Sequence, residues 1–238
     1  MFVACEKEDD GNEPKQVVDL GLPSGILWAT CNVGATNPWK SGDYFAWGET
    51  TTNSKNNWKT YSFCKGTDKS LTKYCSDAEF GNDGFCDTLN TLEVCDDAAS
   101  ANWGNDWTTP TAENFQELYN ECYWVWTNNY SNKGVYGYII YKAKEKSDRG
   151  AIVYSSDGMP SESYSLNDAH IFLPAVGYRE DMEIFGAEDD GVGFYWTVSL
   201  NADYPSDALS CCFSGNNVNV KNSGGRRSGM SVRPVKRP

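Results

Sequence analysis

Pro110-Thr111-Ala112-Glu113-Asn114-Phe115-Gln116-Glu117-Leu118-Tyr119-Asn120-Glu121-Cys122-Tyr123-Trp124-Val125-Trp126-Thr127 is the stretch in which the period of the sequence changes. Phe115, Leu118, Tyr119 and Cys122 recur at i, i+3, i+4 and i+7, which lays an apolar stripe along one face of a helix. Thr111, directly after Pro110, caps its start. From Tyr123 the helical period gives way to a short run of aromatic and β-branched residues, as a strand prefers.

Outward from this stretch the chain is dominated by strands. Upstream, acidic Asp96-Asp97 before Ala98-Ala99-Ser100-Ala101 predicts another helix. Downstream, strands are expected over residues 136–141, 151–154, 171–173, 194–200, 209–213, 218–220 and 231–235. Near the start, residues 17–25 alternate briefly and then turn, and residues 26–33 read as a strand ended by Gly34. Residues 42–48 read as a short aromatic strand between glycines. Residues 49–94 are polar, with little period of either kind, and predict a long excursion loop. Two early helices among many short strands give an α+β fold, with residues 17–238 as a single domain.

Composition sets limits. The 238 residues are 39% hydrophobic, 14% aromatic and 22% charged, a globular rather than a disordered balance. Twenty-two glycines and nine prolines call for many turns and few helices. A net charge of −13 argues against nucleic acid, whose phosphates need a basic face, and against adsorption to anionic lipid. Acids crowd the start (Glu6, Glu8, Asp9, Asp10). The end carries Lys221, Arg226, Arg227, Arg233, Lys236 and Arg237, read either as a basic C-terminus that closes the fold or as an anion-binding patch. No apolar run nears the ~20 residues that span a bilayer.

Met1-Phe2-Val3-Ala4-Cys5 reads like the end of a bacterial lipoprotein signal, in which a small residue precedes the cysteine that is lipidated. The basic and apolar regions of a full signal peptide are absent, so the signal is expected to have been trimmed or its start misassigned. Glu6-Lys7-Glu8-Asp9-Asp10 resembles the charged signal of surface-exposed Bacteroidota lipoproteins, and residues 1–16 would form a tether. On this reading Cys5 is the lipid anchor and the protein sits on the outer membrane. The alternative is an ordinary charged tail. Eight further cysteines remain: Cys31, Cys64, Cys75, Cys86, Cys95, Cys122, Cys211 and Cys212. An oxidising compartment would let them pair, Cys64 with Cys75 and Cys86 with Cys95 being the simplest guesses. Free buried thiols are the rival reading for Cys31, Cys122, Cys211 and Cys212.

Several motifs, in order, carry a resemblance. They are Val18-Asp19-Leu20-Gly21-Leu22, Trp28-Ala29-Thr30-Cys31-Asn32-Val33-Gly34-Ala35, Gly42-Asp43-Tyr44-Phe45-Ala46-Trp47-Gly48-Glu49 and Leu71-Thr72-Lys73-Tyr74. Asp96-Asp97-Ala98-Ala99, Trp103-Gly104 and Pro110-Thr111 follow. The last are Ile171-Phe172-Leu173-Pro174-Ala175-Val176-Gly177-Tyr178-Arg179, Tyr195-Trp196 and Ser231-Val232-Arg233-Pro234-Val235. Over residues 17–235 they resemble the "Fibrobacter succinogenes major paralogous" domain of Bacteroidota surface proteins. That family looks like a branch of the C-type-lectin-like fold, related to formylglycine-generating enzymes and to retroelement-diversified variable proteins. The resemblance implies a compact domain whose C-terminal strands and loops display a binding face. Two departures stand out. Trp107-Thr108-Thr109-Pro110 replaces the family's basic-Met-Pro run, and residues 142–167 look like an insertion.

Little catalytic chemistry is legible. The one histidine, His170, cannot form a multi-histidine metal site and lacks a nucleophile frame around it; a structural role is expected. Cys211 and Cys212, adjacent in a predicted strand, should point to opposite faces, a poor geometry for the cysteine pair of formylglycine-generating relatives. Asn105-Asp106 and Glu188-Asp189-Asp190 offer oxygen ligands that calcium prefers, although solvated acids are the ordinary reading. No cofactor and no enzymatic activity are expected.

The C-terminal polar residues form the candidate ligand face: Asn201, Asp203, Tyr204, Ser206, Asp207, Asn216, Asn217, Asn219 and Asn222. Short hydrogen-bonding side chains with Tyr make an adaptable recognition surface, though Asn, Asp and Ser also serve turns. In diversified relatives the corresponding segment is where variation concentrates. The expected function is therefore binding of an extracellular glycan or protein, with a fimbrial-type assembly subunit or an oxidase as alternatives. The expectation requires residues 195–235 to fold back on the early strands with their polar side chains outward.

Overall fold

A computed structural model describes residues 16–187 and 191–237. The Cys5 lipidation candidate, all of the expected tether but Gln16, and the Glu188-Asp189-Asp190 calcium candidate lie outside the described residues. Among those residues no helix is long and apolar enough to cross a membrane.

The two ends of the chain meet in one sheet. Strand β1 (Val17–Val18) pairs with β2 (Leu27–Ala29), the C-terminal β13 (Val235–Lys236) lies on the other side of β2, and β3 (Trp107–Thr108) completes the order β1-β2-β13-β3. Val235 sits opposite Trp28 on one side and Thr108 on the other. The last stretch thus folds back on the early strands.

Helix α1 (Ala98–Trp103) and helix α2 (Ala112–Glu121) occupy the expected places. The cap of α2 is reciprocal: the Asn114 N–H donates to Thr111 Oγ1 (3.1 Å), and the Thr111 N–H donates to Asn114 Oδ1 (2.9 Å). Phe115 and Leu118 carry its apolar stripe into a core shared with Trp28, Trp124, Tyr195 and Val235. Cys122 belongs to the same core although the helix has already ended there. At α1 the buried N-cap carboxylate of Asp97 receives the Ala99 N–H (2.9 Å) and the hydroxyls of Ser100 (3.0 Å), Thr108 (2.7 Å) and Thr109 (2.5 Å). Hydrogen bonds stand in for a counter-ion and fasten α1 to β3.

The remaining strands form two larger sheets and a hairpin. Strands β4 (Cys122–Thr127), β5 (Gly137–Lys142), β6 (Ile152–Tyr154) and β7 (His170–Pro174) lie in the order β6-β4-β5-β7, with β6 parallel to β4. The predicted insertion supplies β6 and buries Tyr164 against Tyr141 and Phe172. Strands β8 (Tyr178–Glu180) and β9 (Glu183–Phe185) make the hairpin. Strands β10 (Gly193–Leu200), β11 (Asp207–Ser214) and β12 (Asn217–Gly225) form an antiparallel meander. The α+β class holds.

Three local expectations need correction. Residues 42–48 form no strand. Tyr44, Phe45, Ala46 and Trp47 are all buried rather than alternating, and Phe45 alone bridges to Met230. Glycines at both ends with φ of 67° and 83° steer this segment straight through the core. Residues 231–235 keep only Val235 in a named strand, with Ser231 bridging to Tyr195.

The third correction concerns the cysteines. Among the described residues every cysteine is free, so neither the Cys64–Cys75 nor the Cys86–Cys95 staple is present. The Cys64 thiol instead donates to the Trp58 carbonyl (3.0 Å) and the Cys75 thiol to that of Asp77 (3.1 Å).

Buried arginine does the fastening. Arg226 donates to Tyr61 Oη (2.8 Å) and to the carbonyls of Lys73 (3.0 Å), Tyr74 (2.9 Å) and Pro205 (2.9 Å), with Trp47 beneath its plane. Arg233 donates to Asn32 Oδ1 (2.8 Å) and to the carbonyls of Ala29 (3.1 Å), Thr30 (3.0 Å) and Phe172 (2.8 Å). Both are fully buried. Arg227 pairs with Glu180, and Lys236 with Asp106 at 3.3 Å. Arg226 and Arg233 therefore close the fold, Arg227 and Lys236 are ion-paired, and Lys221 and Arg237 are exposed.

Candidate binding face

Eight of the nine predicted ligand residues lie toward the two ends of the β10–β11–β12 meander, and Asn222 lies between them, opposite Ser210. Asp207 pairs with Gly225 at one end of β11 and Ser214 with Asn217 at the other. Eight strand residues separate these ends by about 20–25 Å. The structure therefore brings Asn201, Asp203, Tyr204, Ser206 and Asp207 together and leaves Asn216, Asn217 and Asn219 remote from them.

The first group is a braced turn. Asn201 Oδ1 accepts the N–H groups of Asp203 (3.1 Å) and Tyr204 (3.3 Å), and the Asp207 N–H donates to the Tyr204 carbonyl (2.8 Å). Asn201 Nδ2 donates to Ser223 Oγ (2.9 Å), which donates to Asp207 Oδ2 (2.9 Å). Beneath the turn, Pro205 is buried, its carbonyl held by Arg226, and the Ala202 carbonyl accepts from Ser76 Oγ (2.8 Å). The turn-forming reading is thus correct for Asn201 and Asp207. What the turn displays is Asp203 and Tyr204, the ring 61% exposed.

The second group is looser in purpose. Asn216 and Asn217 are exposed at the β11–β12 turn. Asn219 accepts the Lys221 N–H (3.1 Å). Asn222 is half-buried, and its Nδ2 donates to Ser210 Oγ (3.0 Å), an internal bond across the sheet.

The other candidates lie elsewhere in the fold. His170 Nδ1 faces the Asp168 carbonyl (2.8 Å) and Nε2 faces Tyr130 Oη (3.0 Å), the pairing expected of a neutral ring donating from Nδ1. Burial lowers its pKa below the ordinary value, against the opposing pull of Asp168. Cys211 is buried and Cys212 half-buried. Burial raises both thiols, Cys212 to about 11, so neither is a ready thiolate at neutral pH. Asp106 is 79% exposed in its side chain and lies against Lys236, which supplies the positive charge a calcium ion would bring. Glu93, Cys95 and Asp96 converge, but Lys73 Nζ already lies 2.5 Å from Glu93 and 2.6 Å from Asp96.

One feature escaped sequence reading. The β8–β9 hairpin exposes Met182, Ile184 and Phe185. At its turn Asp181 takes a φ of 50°.

No family model matches the chain, and no curated protein or solved structure matches it.

Proposed function

We propose that this chain is a non-catalytic binding domain of a surface lipoprotein, lectin-like in fold and tethered to the outer membrane through Cys5. Its ligand face is the braced turn around Tyr204. The observation that carries this reading is an exposed tyrosine on a turn whose backbone is fixed from three sides. An aromatic ring on a fixed backbone, with only two side-chain torsions left to order, can stack on a sugar or anchor a protein partner at modest entropic cost. Asp203 beside it, with the Asn201–Ser223–Asp207 hydrogen-bond chain behind, supplies polar groups that would orient a hydroxyl-rich or peptide ligand. The Tyr204 turn joins β10 to β11, within the C-terminal segment from which the family resemblance expects a binding face, and that supports the lectin-like reading.

A glycan and protein array probed with the purified domain tests this proposal. Tyr204→Ala should abolish the signal while the melting temperature stays within about 2 °C, since an exposed side chain contributes little to stability. The paired change Asn216→Ala/Asn217→Ala, at the far end of the sheet, should leave binding intact. Loss of binding only in the second variant would move the face to the β11–β12 turn.

The exposed apolar hairpin favours a second reading, a structural or fimbrial-type assembly subunit. Concentration-dependent self-association that Ile184→Ser/Phe185→Ser removes would favour it over ligand capture.

A further inference from the structure

We propose that Cys75 and Cys86 are an oxidation site, which a dithiol-oxidising partner or a low-molecular-weight disulfide closes into a disulfide within the excursion loop. The pairing differs from both pairings suggested by sequence spacing, and it comes from the backbone. The N–H of Asp87, next to Cys86, donates to the Cys75 carbonyl at 2.8 Å. The Asp87 carboxylate then turns back on the same segment, accepting the Cys75 N–H (3.0 Å) and the Tyr74 N–H (2.8 Å). With standard bond lengths these contacts hold the two cysteine Cα atoms roughly 5–7 Å apart, inside the span a disulfide bridges. Burial is the main cause that raises the Cys75 thiol above its ordinary pKa, and the neighbouring Cys86 adds to it.

The two cysteines differ in the way a sequential exchange needs. Cys86 is exposed and Cys75 is buried. Cys86 loses its proton to solvent, and its thiolate attacks one sulfur of the donor disulfide and expels a thiol. Cys75 then gives up its proton and attacks the Cys86 sulfur of the mixed disulfide, expelling the second thiol. One donor disulfide is reduced to two thiols as the Cys75–Cys86 bond forms. Among the described residues no backbone hydrogen bond ties the Cys64 or Cys95 segment to that of another cysteine in this way. The Cys75 and Cys86 sulfurs face the Asp77 and Asp87 carbonyls, and closure turns both away from them.

Closure would fasten the loop under the Tyr204 turn, because Ser76, next to Cys75, holds the Ala202 carbonyl. The inference does not depend on the binding proposal, since it rests on loop geometry alone.

The test uses the full chain equilibrated with oxidised glutathione, then alkylated and cleaved with proteases acting at Glu79 and Phe80, which separate the two cysteines. The expected result is a single cross-linked peptide pair containing Cys75 and Cys86, two fewer maleimide-reactive thiols, and a melting temperature about 5–10 °C higher than the reduced protein. Cys86→Ser, at an exposed position and so neutral for folding, should abolish both the cross-link and the shift, and Cys95→Ser should abolish neither. A cross-link from Cys86 to Cys95 or from Cys64 to Cys75, or glutathione left on Cys86 with no cross-link, would overturn the proposal.

Discussion

Replacing Arg226 with methionine removes the donor set that joins the excursion loop to the C-terminal meander. The wild-type side chain is fully buried and serves three backbone carbonyls, those of Lys73, Tyr74 and Pro205, as well as Tyr61 Oη. Methionine fills much of the volume but offers no N–H, so the three carbonyls lose their guanidinium donors. Each buried acceptor left without a partner costs about 1–3 kcal/mol. Opposing this, no carboxylate forms an ion pair with Arg226 among the described residues, so its removal also relieves the cost of a buried cation. The net loss expected is about 3 kcal/mol, or a melting temperature lower by about 6–12 °C for a domain of this size. Circular dichroism melting checks the magnitude, and limited proteolysis checks the place, since cleavage should appear first within residues 49–94. Arg226→Lys, with one ammonium for a fork of donors, should recover less than half of the loss. A methionine variant that melts within 1–2 °C of wild type, with the same cleavage pattern, would refute the view that this arginine fastens the loop.

Other expectations follow from the same structure. Asp97→Ala should destabilise by about 3 kcal/mol in urea titration, because it uncaps α1 and strands the Thr108 and Thr109 donors together, whereas Thr111→Ala at α2 should cost only about 1 kcal/mol. Gly193→Ala should destabilise by about 1–3 kcal/mol in the same assay, since a methyl there would overlap the Phe213 ring. His170 should give the stability a pH dependence of definite sign. Its folded pKa is lowered from 6.5, so the unfolded chain binds the proton more readily. That contribution is complete above pH 6.5 and is lost as the pH falls through the folded value, and His170→Gln should flatten this part of a stability–pH curve.

Several elements were legible because their cause is local. The Thr111 cap, the Phe115–Leu118 stripe and the acids before Ala98 specify helices by contacts within one or two turns. The strands around Val125, Ile139 and Val198 carried enough aromatic and β-branched residues to be seen. Residues 42–48 misled because glycine-bounded aromatics read as a half-buried strand, and only the surrounding core shows that all four central residues are enclosed. The ligand face was half legible. Composition pointed to residues 201–222, but side-chain identity says nothing of distance along a sheet.

The amino-acid order alone carried the α+β class and the two helices, because periodicity and capping act through neighbours in the chain. Long-range packing placed the last strand beside β2, Arg226 and Arg233 inside, Cys75 next to Cys86, and Tyr204 far from Asn216. Those facts depend on which distant segments meet. A charged or polar residue takes its role from the partners that meeting provides, and no local pattern records them.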